Sequence, residues 1–331
     1  MKTLQRELKP ALLMMQKDEY LRLDAWIRYY SSLFGSSSLF LFDNGSTRQS
    51  VRERLKEAAD SGCRVYWQYN RPEHYYQREN IFTEFIQNLD ATDPHDFYLP
   101  LDCDEFIAVL HNGNVSLEKE QITAELAQYI ESPDILKIHH KLWHNPYHIN
   151  QYAHNTTSEK CFFAKHACAF LAPGFHKARA KKSDKTTTTN IIYFEFHYQP
   201  YKAHMQNSRD KLAAYTTHFS RPALKRYIKG RGYCFHCAVD MLKSEYEYAR
   251  ELLYADNLIP VPELLQRFDQ LGIAYQQLYA KSSPLGGRWR LTSLRLKHFG
   301  QRASDPLIGL SERLRASLRR RAKTMRQRML G

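Results

Sequence analysis

The chain has 331 residues, enough for a sizeable core, and its 43% hydrophobic and 25% charged content excludes a disordered or low-complexity protein. Its formal charge of +13 is uneven: residues 288–331 carry 13 Lys+Arg against two acids, a charge of +11, which leaves +2 for residues 1–287. A body that close to neutral has no broad basic face, so nucleic acid is an unlikely partner for it. No apolar run reaches the roughly 18 residues of a spanning helix and the start lacks a signal-peptide core, so a cytoplasmic location is expected. Six cysteines (63, 103, 161, 168, 234, 237) without framework spacing suit a reducing compartment. Cys234-Phe-His-Cys237 has no matching second pair and reads as partly buried thiols ahead of zinc or redox work.

In chain order, the apolar run Ala11–Gln16 predicts a first strand. Tyr20–Phe34 then carries apolar side chains at helical spacing, ended by Gly35. Ser38–Asp43 predicts a second strand, closed by the turn Asn44-Gly45-Ser46-Thr47. A helix at about 48–60, a strand at Cys63–Trp67, a helix at roughly 76–89 and a strand at 97–101 follow. Repeated strand–helix alternation predicts a parallel sheet with helices on both faces. Beyond Val109 the patterns predict a helix from Val115 to Ile130, a strand at Ile135–Trp143, short strands near 160–165 and 167–172, and one at Ile191–Phe196. Ala178–Asn190 has no apolar face and reads as a mobile loop. Helices are expected at about 204–218, 222–229, 238–254 and 261–281, with a linker at 282–287. The expected division is a main α/β domain over 1–205, a helical accessory region over 206–287 and a basic tail over 288–331.

The chain is organised around Phe97-Tyr-Leu-Pro-Leu-Asp102-Cys-Asp104-Glu105-Phe-Ile-Ala-Val109, three carboxylates between two apolar runs. The acids sit where one buried strand ends and the next begins, and open α/β sheets bind ligands beyond the carboxyl ends of their strands. In an extended strand Asp102 and Asp104 would share one face, where like charges call for a cation or a proton between them. Hard oxygen ligands suit Mg²⁺ or Mn²⁺ carrying a diphosphate. The plain alternative is a strand end capped by surface acids.

Lys17-Asp18-Glu19, the helix with Trp26-Ile27-Arg28-Tyr29-Tyr30, Gly35, the strand ending Asp43-Asn44-Gly45-Ser46, and Asp102 to Phe106 together resemble GT-A glycosyltransferases of the family 2-like and family 92-like groups. The resemblance covers about residues 10–215, with Asp18 where those groups usually have Asn. It implies a Rossmann-like, mostly parallel sheet and transfer of a sugar from a nucleotide-sugar donor, UDP-sugar first among them, to a glycan or lipid-linked acceptor. It further implies that Asp43 holds the base or ribose, that Glu19, Gln77 and Asn80 line the donor pocket, and that Asp102 and Asp104 hold the metal and diphosphate. Glu19 reads equally well as a helix-start acid favoured by the dipole. His176, after Pro173-Gly174, and His197, after Phe194-Glu195-Phe196, match two histidines of the group, and His197 is preferred as an additional metal ligand. Trp143, His144 and Tyr147 suit an acceptor surface or a core. The inverting mechanism needs a carboxylate base, for which Glu105 and Glu195 are the candidates.

Two other classes fit parts of the pattern: a nucleic-acid-binding protein with a basic tail, and a phosphohydrolase using Asp-x-Asp, which lacks the further ligands of a two-metal site. In the tail, apolar residues between Leu307 and Leu330 form one helical stripe among eight basic residues. That pattern predicts a helix lying on an anionic membrane, and hence peripheral attachment at its inner face.

Overall fold

The computed structural model describes residues 7–281 apart from 156–159, 214, 233 and 256; the linker and the basic tail lie outside the described residues. In the first half β1 (Pro10–Gln16), α1 (Tyr20–Phe34), β2 (Leu39–Asp43), α2 (Gln49–Asp60) and β3 (Arg64–Tyr66) alternate. Next come α3 (Pro72–Tyr76), α4 (Arg78–Thr92), β4 (Phe97–Pro100), β5 (Glu105–His111), β6 (Asn114–Ser116) and α5 (Lys119–Ala127). The middle is strand-rich: β7 (Ile135–Lys137), β8 (His140–His144), β9 (Gln151–Asn155), β10 (Cys161–Ala164), β11 (Cys168–Leu171), β12 (Ala178–Ala180), β13 (Thr186–Thr188) and β14 (Ile191–Glu195). Then follow α6 (Tyr201–Ala213), α7 (Arg221–Lys229), α8 (Phe235–Met241), α9 (Glu245–Leu253), β15 (Leu258–Pro260) and α10 (Pro262–Gln270).

The Rossmann-like α/β arrangement implied by the GT-A resemblance is present. The central sheet has the order β13-β7-β10-β4-β1-β2-β3. β1, β2, β3 and β4 run parallel, and β10 is antiparallel to β4 and β7. β1 reads as an unbroken apolar run because both of its faces are covered. Leu12 and Met14 pack with Trp26 and Leu55 on one side, while Leu13 and Met15 pack with Phe82 and Ile86 on the other. The β1–β2 register ends on Gln16 opposite Asp43, so the functional loops leave the sheet at one edge.

A second, mostly antiparallel sheet has the order β15-β9-β8-β14-β5-β6. The acidic segment 102–104 is where the chain passes from the first sheet to the second. Helix α1 fixes that passage: the Tyr30 hydroxyl donates to the Glu105 carbonyl at 2.9 Å and the Tyr29 hydroxyl to that of Ile107 at 2.6 Å. Both tyrosines are fully buried for this reason.

Several expectations are corrected. The run 135–143 is two strands, β7 and β8, in different sheets. The supposed loop 178–190 contains β12 and β13; among the described residues β13 is an edge strand of its sheet, so it needs no apolar face. Its neighbourhood is pinned by Asp134, which accepts from Ser183 and Thr187, both at 2.7 Å. The helix expected over 115–130 starts later, after β6, and β9 and β15 were not anticipated. The helix expected over 238–254 is two, restarted at Ser244, whose hydroxyl and Glu247 form a capping box. The expected 205/206 boundary falls inside α6, and α6, α7 and α8 pack a cluster of their own around Leu212, Leu224, Cys237 and Ala238. Leu264, Leu265 and Phe268 of α10 belong to the same core as Tyr29 and Phe106. No helix among the described residues is long and apolar enough to cross a membrane.

Buried imidazoles give this core an acid sensitivity. The rings of His139 and His140 lie 3.6 Å apart and those of His140 and His154 4.6 Å apart. Burial pushes His140 down to about 3, helped by the two neighbouring imidazoles, and lowers His154 as well. Burial likewise takes His144 to about 3 against its hydrogen bond to the Tyr198 carbonyl. In the unfolded chain these groups protonate near pH 6.5, so between pH 6.5 and about 3 the unfolded state binds more protons and stability falls as pH drops. The unfolding midpoint in urea should decline steadily from pH 7 to pH 4.5, and less steeply in His140→Phe. A midpoint independent of pH over that range contradicts this.

Candidate functional site

The acids form a tight turn rather than an extended strand, so Asp102 and Asp104 do not share a strand face. The Glu105 amide donates to the Asp102 carbonyl at 3.1 Å, and the Asp102 amide donates back to Glu105 Oε2 at 2.8 Å. Lys160, 2% exposed, reaches under this turn with Nζ 2.7 Å from Asp102 Oδ2 and 2.6 Å from Glu105 Oε2. Burial pushes the Glu105 carboxyl up against the pull of Lys160, and Asp102 adds to the push. Burial would raise Asp102 too, but Lys160, Arg78 and Lys211 outweigh it and hold that carboxyl well below its usual range. The two carboxylates keep Lys160 in its ammonium form despite burial.

Asp104 faces a different set of groups. Arg22 of α1 reaches Asp104 Oδ2 at 3.3 Å and Glu19 Oε2 at 3.0 Å, and the Gln199 amide oxygen accepts from the same guanidinium. The Phe196 amide donates to the Asp104 carbonyl at 2.8 Å, and this locks the end of β14 onto the turn. Asp104, Glu195 and His197 consequently offer ligand atoms that all lie within 4.8 Å of one another. Lys141 at 2.7 Å and the Trp143 indole N–H at 2.9 Å occupy Glu195 Oε2, while Oε1 lies 3.8 Å from His197 Nδ1. Burial takes His197 down to about 3, with Lys211 and His204 adding to the effect and Asp104 opposing it. The imidazole is therefore neutral near pH 7 and has a lone pair to give.

The other expected residues fall into three groups. Glu19 joins the site through Arg22, and Trp143, half-buried, stacks beside His197 at 6.4 Å between ring centres. Gln77 and Asn80 are exposed at the start of α4, on either side of the buried Arg78. His176 is exposed and outside the Asp104 cluster. Three expectations change role. Asp43 is 3% exposed, and its oxygens accept from Gln16 Nε2 at 2.7 Å, the Ser46 hydroxyl at 2.5 Å and the Ser46 amide at 3.0 Å. It clamps its own loop rather than presenting a carboxylate to a nucleotide. His144 is 1% exposed and stacks on Phe196, so it is a core residue and no acceptor surface. Glu105, 1% exposed beneath the turn, cannot reach an acceptor hydroxyl as a base must.

The surrounding loops are rigid for local reasons. The Asn44 side-chain amide donates to the Tyr69 and Arg71 carbonyls at 2.8 and 2.7 Å. Gly45 has φ +76, and a Cβ there would meet the Asn70 carbonyl oxygen at 2.5 Å. Asp18 also has positive φ, 56°, which Asp and Asn tolerate better than most residues, and its Oδ1 accepts from the Thr47 and Arg48 amides. The basic residues Arg22, Arg78, Lys141 and Lys160 were not anticipated. Their partners lie far away in sequence, as for Lys160 with Asp102 and Arg22 with Asp104. A concavity of about 370 Å³ lined by Asp96, Lys165 and Lys182 lies at the amino end of β4, away from this chemistry.

No family model and no curated protein matches the chain. Among solved structures it is similar to S. aureus TarS, at 12% identity and a TM-score of 0.33, over 75% of this chain and 44% of that one. It is also similar to S. aureus TarS 1-349, at 13% identity and a TM-score of 0.34, over 82% of this chain and 81% of that one. The chain thus spans less than half of the first of these. Overlap of that degree leaves the reading of function to the site's own residues.

Removing the shared ammonium should expose how much the turn relies on it. Lys160→Met strands a fully buried carboxylate and should lower unfolding free energy by about 3–5 kcal/mol in urea titrations. Adding Glu105→Leu should restore part of that loss, whereas additive or larger destabilisation in the double variant contradicts the assignment.

Proposed function

We propose that the chain is a glycosyltransferase that moves a sugar from a nucleotide-sugar donor to a glycan or lipid-linked acceptor with a divalent metal, Mn²⁺ or Mg²⁺, at Asp104. The observation that carries this reading is the Asp104–Glu195–His197 cluster at the carboxyl edge of a mostly parallel sheet, in a turn of sequence Asp102-Cys-Asp104-Glu105-Phe106. The donor set fits such an ion. Arg22 takes one oxygen of Asp104, and Lys141 with Trp143 takes one of Glu195, which leaves Asp104 Oδ1, Glu195 Oε1 and a neutral imidazole as ligands. Two hard oxygens and one nitrogen suit Mn²⁺ and Mg²⁺ better than a thiophilic ion.

When bound, the metal would offset charge growing on the leaving diphosphate. The chain's own residues do the rest. Arg22 holds both Asp104 and Glu19, and Lys160 fixes Asp102 at the same turn. Arg78 and Lys211, whose charges act on Asp102, are the cations we assign to the diphosphate. Trp143 supplies a half-buried aromatic face for a sugar ring beside Glu195. UDP-sugars are the first donors to test, inversion the expected stereochemistry, and the basic tail the proposed contact with an anionic membrane carrying the acceptor.

With a panel of nucleotide-sugars, one should release nucleoside diphosphate in a Mn²⁺-dependent manner. Asp104→Asn should lower that rate by on the order of 100-fold while circular dichroism stays unchanged. Undiminished turnover after chelation, or in Asp104→Asn, contradicts the proposal.

A further inference from the structure

A second, chemically different cluster lies on the helical side of the molecule. Cys234, His236 and Cys237 offer one ligand atom each, all within 4.8 Å of one another. The two thiols share a hydrogen bond, and the His236 ring makes another to Cys237. Cys234 stands just before α8 with φ 57, a left-handed conformation that few residues with a Cβ adopt without cost. The arrangement is anchored from behind: Cys237, 2% exposed, packs with Leu212 of α6, Leu224 of α7 and Ala238. It is open in front, where His236 is exposed.

We propose that Cys234, His236 and Cys237 form a site for one soft divalent cation of the Zn²⁺ class, which ties the residue before α8 to the first turn of that helix and leaves a fourth position to solvent. Ligand atoms around a tetrahedral Zn²⁺ lie about 3.3–3.8 Å apart from its usual bond lengths, and these three already lie within 4.8 Å of one another. Two sulfurs and an imidazole select a thiophilic ion, whereas Asp104 and Glu195 offer hard oxygens, so the two clusters sort metals by chemistry. Binding releases the two thiol protons to solvent as the sulfurs coordinate. The first proton leaves readily: the hydrogen bond from Cys237, with Lys211 and Arg78 nearby, brings Cys234 down to about 7. Cys237 is the harder thiol, held up to about 12 by its bond to Cys234 and by burial.

The position matters for the catalytic side. Cys237 also borders a cavity of about 10 Å³ lined by Arg22, His197, His204 and Lys211. The His204 Nε2–H donates to Asp240 Oδ2 of α8 at 3.0 Å, and the His197 and His236 rings lie 6.1 Å apart. Fixing α8 therefore fixes the wall behind His197. The site does not depend on the glycosyl-transfer reading and can hold whether or not that reading does.

Co²⁺ titrated into the reduced, metal-free full chain tests it, because only thiolate ligation gives an intense near-ultraviolet charge-transfer band. The band should saturate at one equivalent, be displaced by Zn²⁺, persist in Asp104→Asn and disappear in Cys234→Ser and Cys237→Ser. His236→Ala should weaken Co²⁺ at least 10-fold. Cys234 is half-buried, so Cys234→Ser decides the matter if Cys237→Ser fails to fold. No band in the parent, a band unchanged in Cys234→Ser, or oxidation to a Cys234–Cys237 disulfide without metal uptake overturns the proposal.

Discussion

Lys160 lies beneath the acidic turn with its ammonium between Asp102 and Glu105, and the turn is where the chain leaves one sheet for the other. A buried carboxylate without that partner would be expensive, and a turn of three acids in four residues would otherwise repel itself apart. The pairing therefore does two things together. It permits an acid-rich segment to sit at the carboxyl edge of a hydrophobic sheet, and it engages Asp102 with Lys160 while Asp104 stands with Glu195 and His197. The tyrosines of α1 complete the constraint by holding the backbone of β5 just past the turn.

Charge around the site is arranged in pairs rather than as a field. Arg22 serves Asp104 and Glu19, Lys141 serves Glu195, and Lys160 serves Asp102 and Glu105. Each carboxylate of the candidate metal set is thus half-satisfied by protein, which holds it in place while one oxygen stays available. Neutral His197, pressed by burial and by Lys211, adds a ligand without adding repulsion.

Much of the first half was legible because its signals are local. Apolar runs bounded by Asn-Gly and Gly breakers identify strands whose two faces are both buried, and alternation with helices dictates a parallel sheet. The position of the acids between β4 and β5 follows from the same pattern. What stayed hidden depends on contacts far apart in sequence. Lys160 meets Asp102 across 58 residues and Arg22 meets Asp104 across 82, and nothing local marks either as part of a site. Asp43 sits in a motif that suggested nucleotide contact, yet Gln16 and Ser46 enclose it once the β1–β2 register is formed. The Thr186–Thr188 strand was invisible to hydrophobic periodicity because an edge strand buries little.

The central claim is that Asp104, Glu195 and His197 hold one hard divalent ion. Electron spin-echo spectroscopy of Mn²⁺ bound to the protein reads this directly, since a coordinated imidazole imprints ¹⁴N modulation on the echo. The account predicts modulation from a single histidine nitrogen, lost in His197→Ala and retained in His176→Ala. Bound Mn²⁺ without nitrogen coupling, or coupling that survives in His197→Ala, would contradict it.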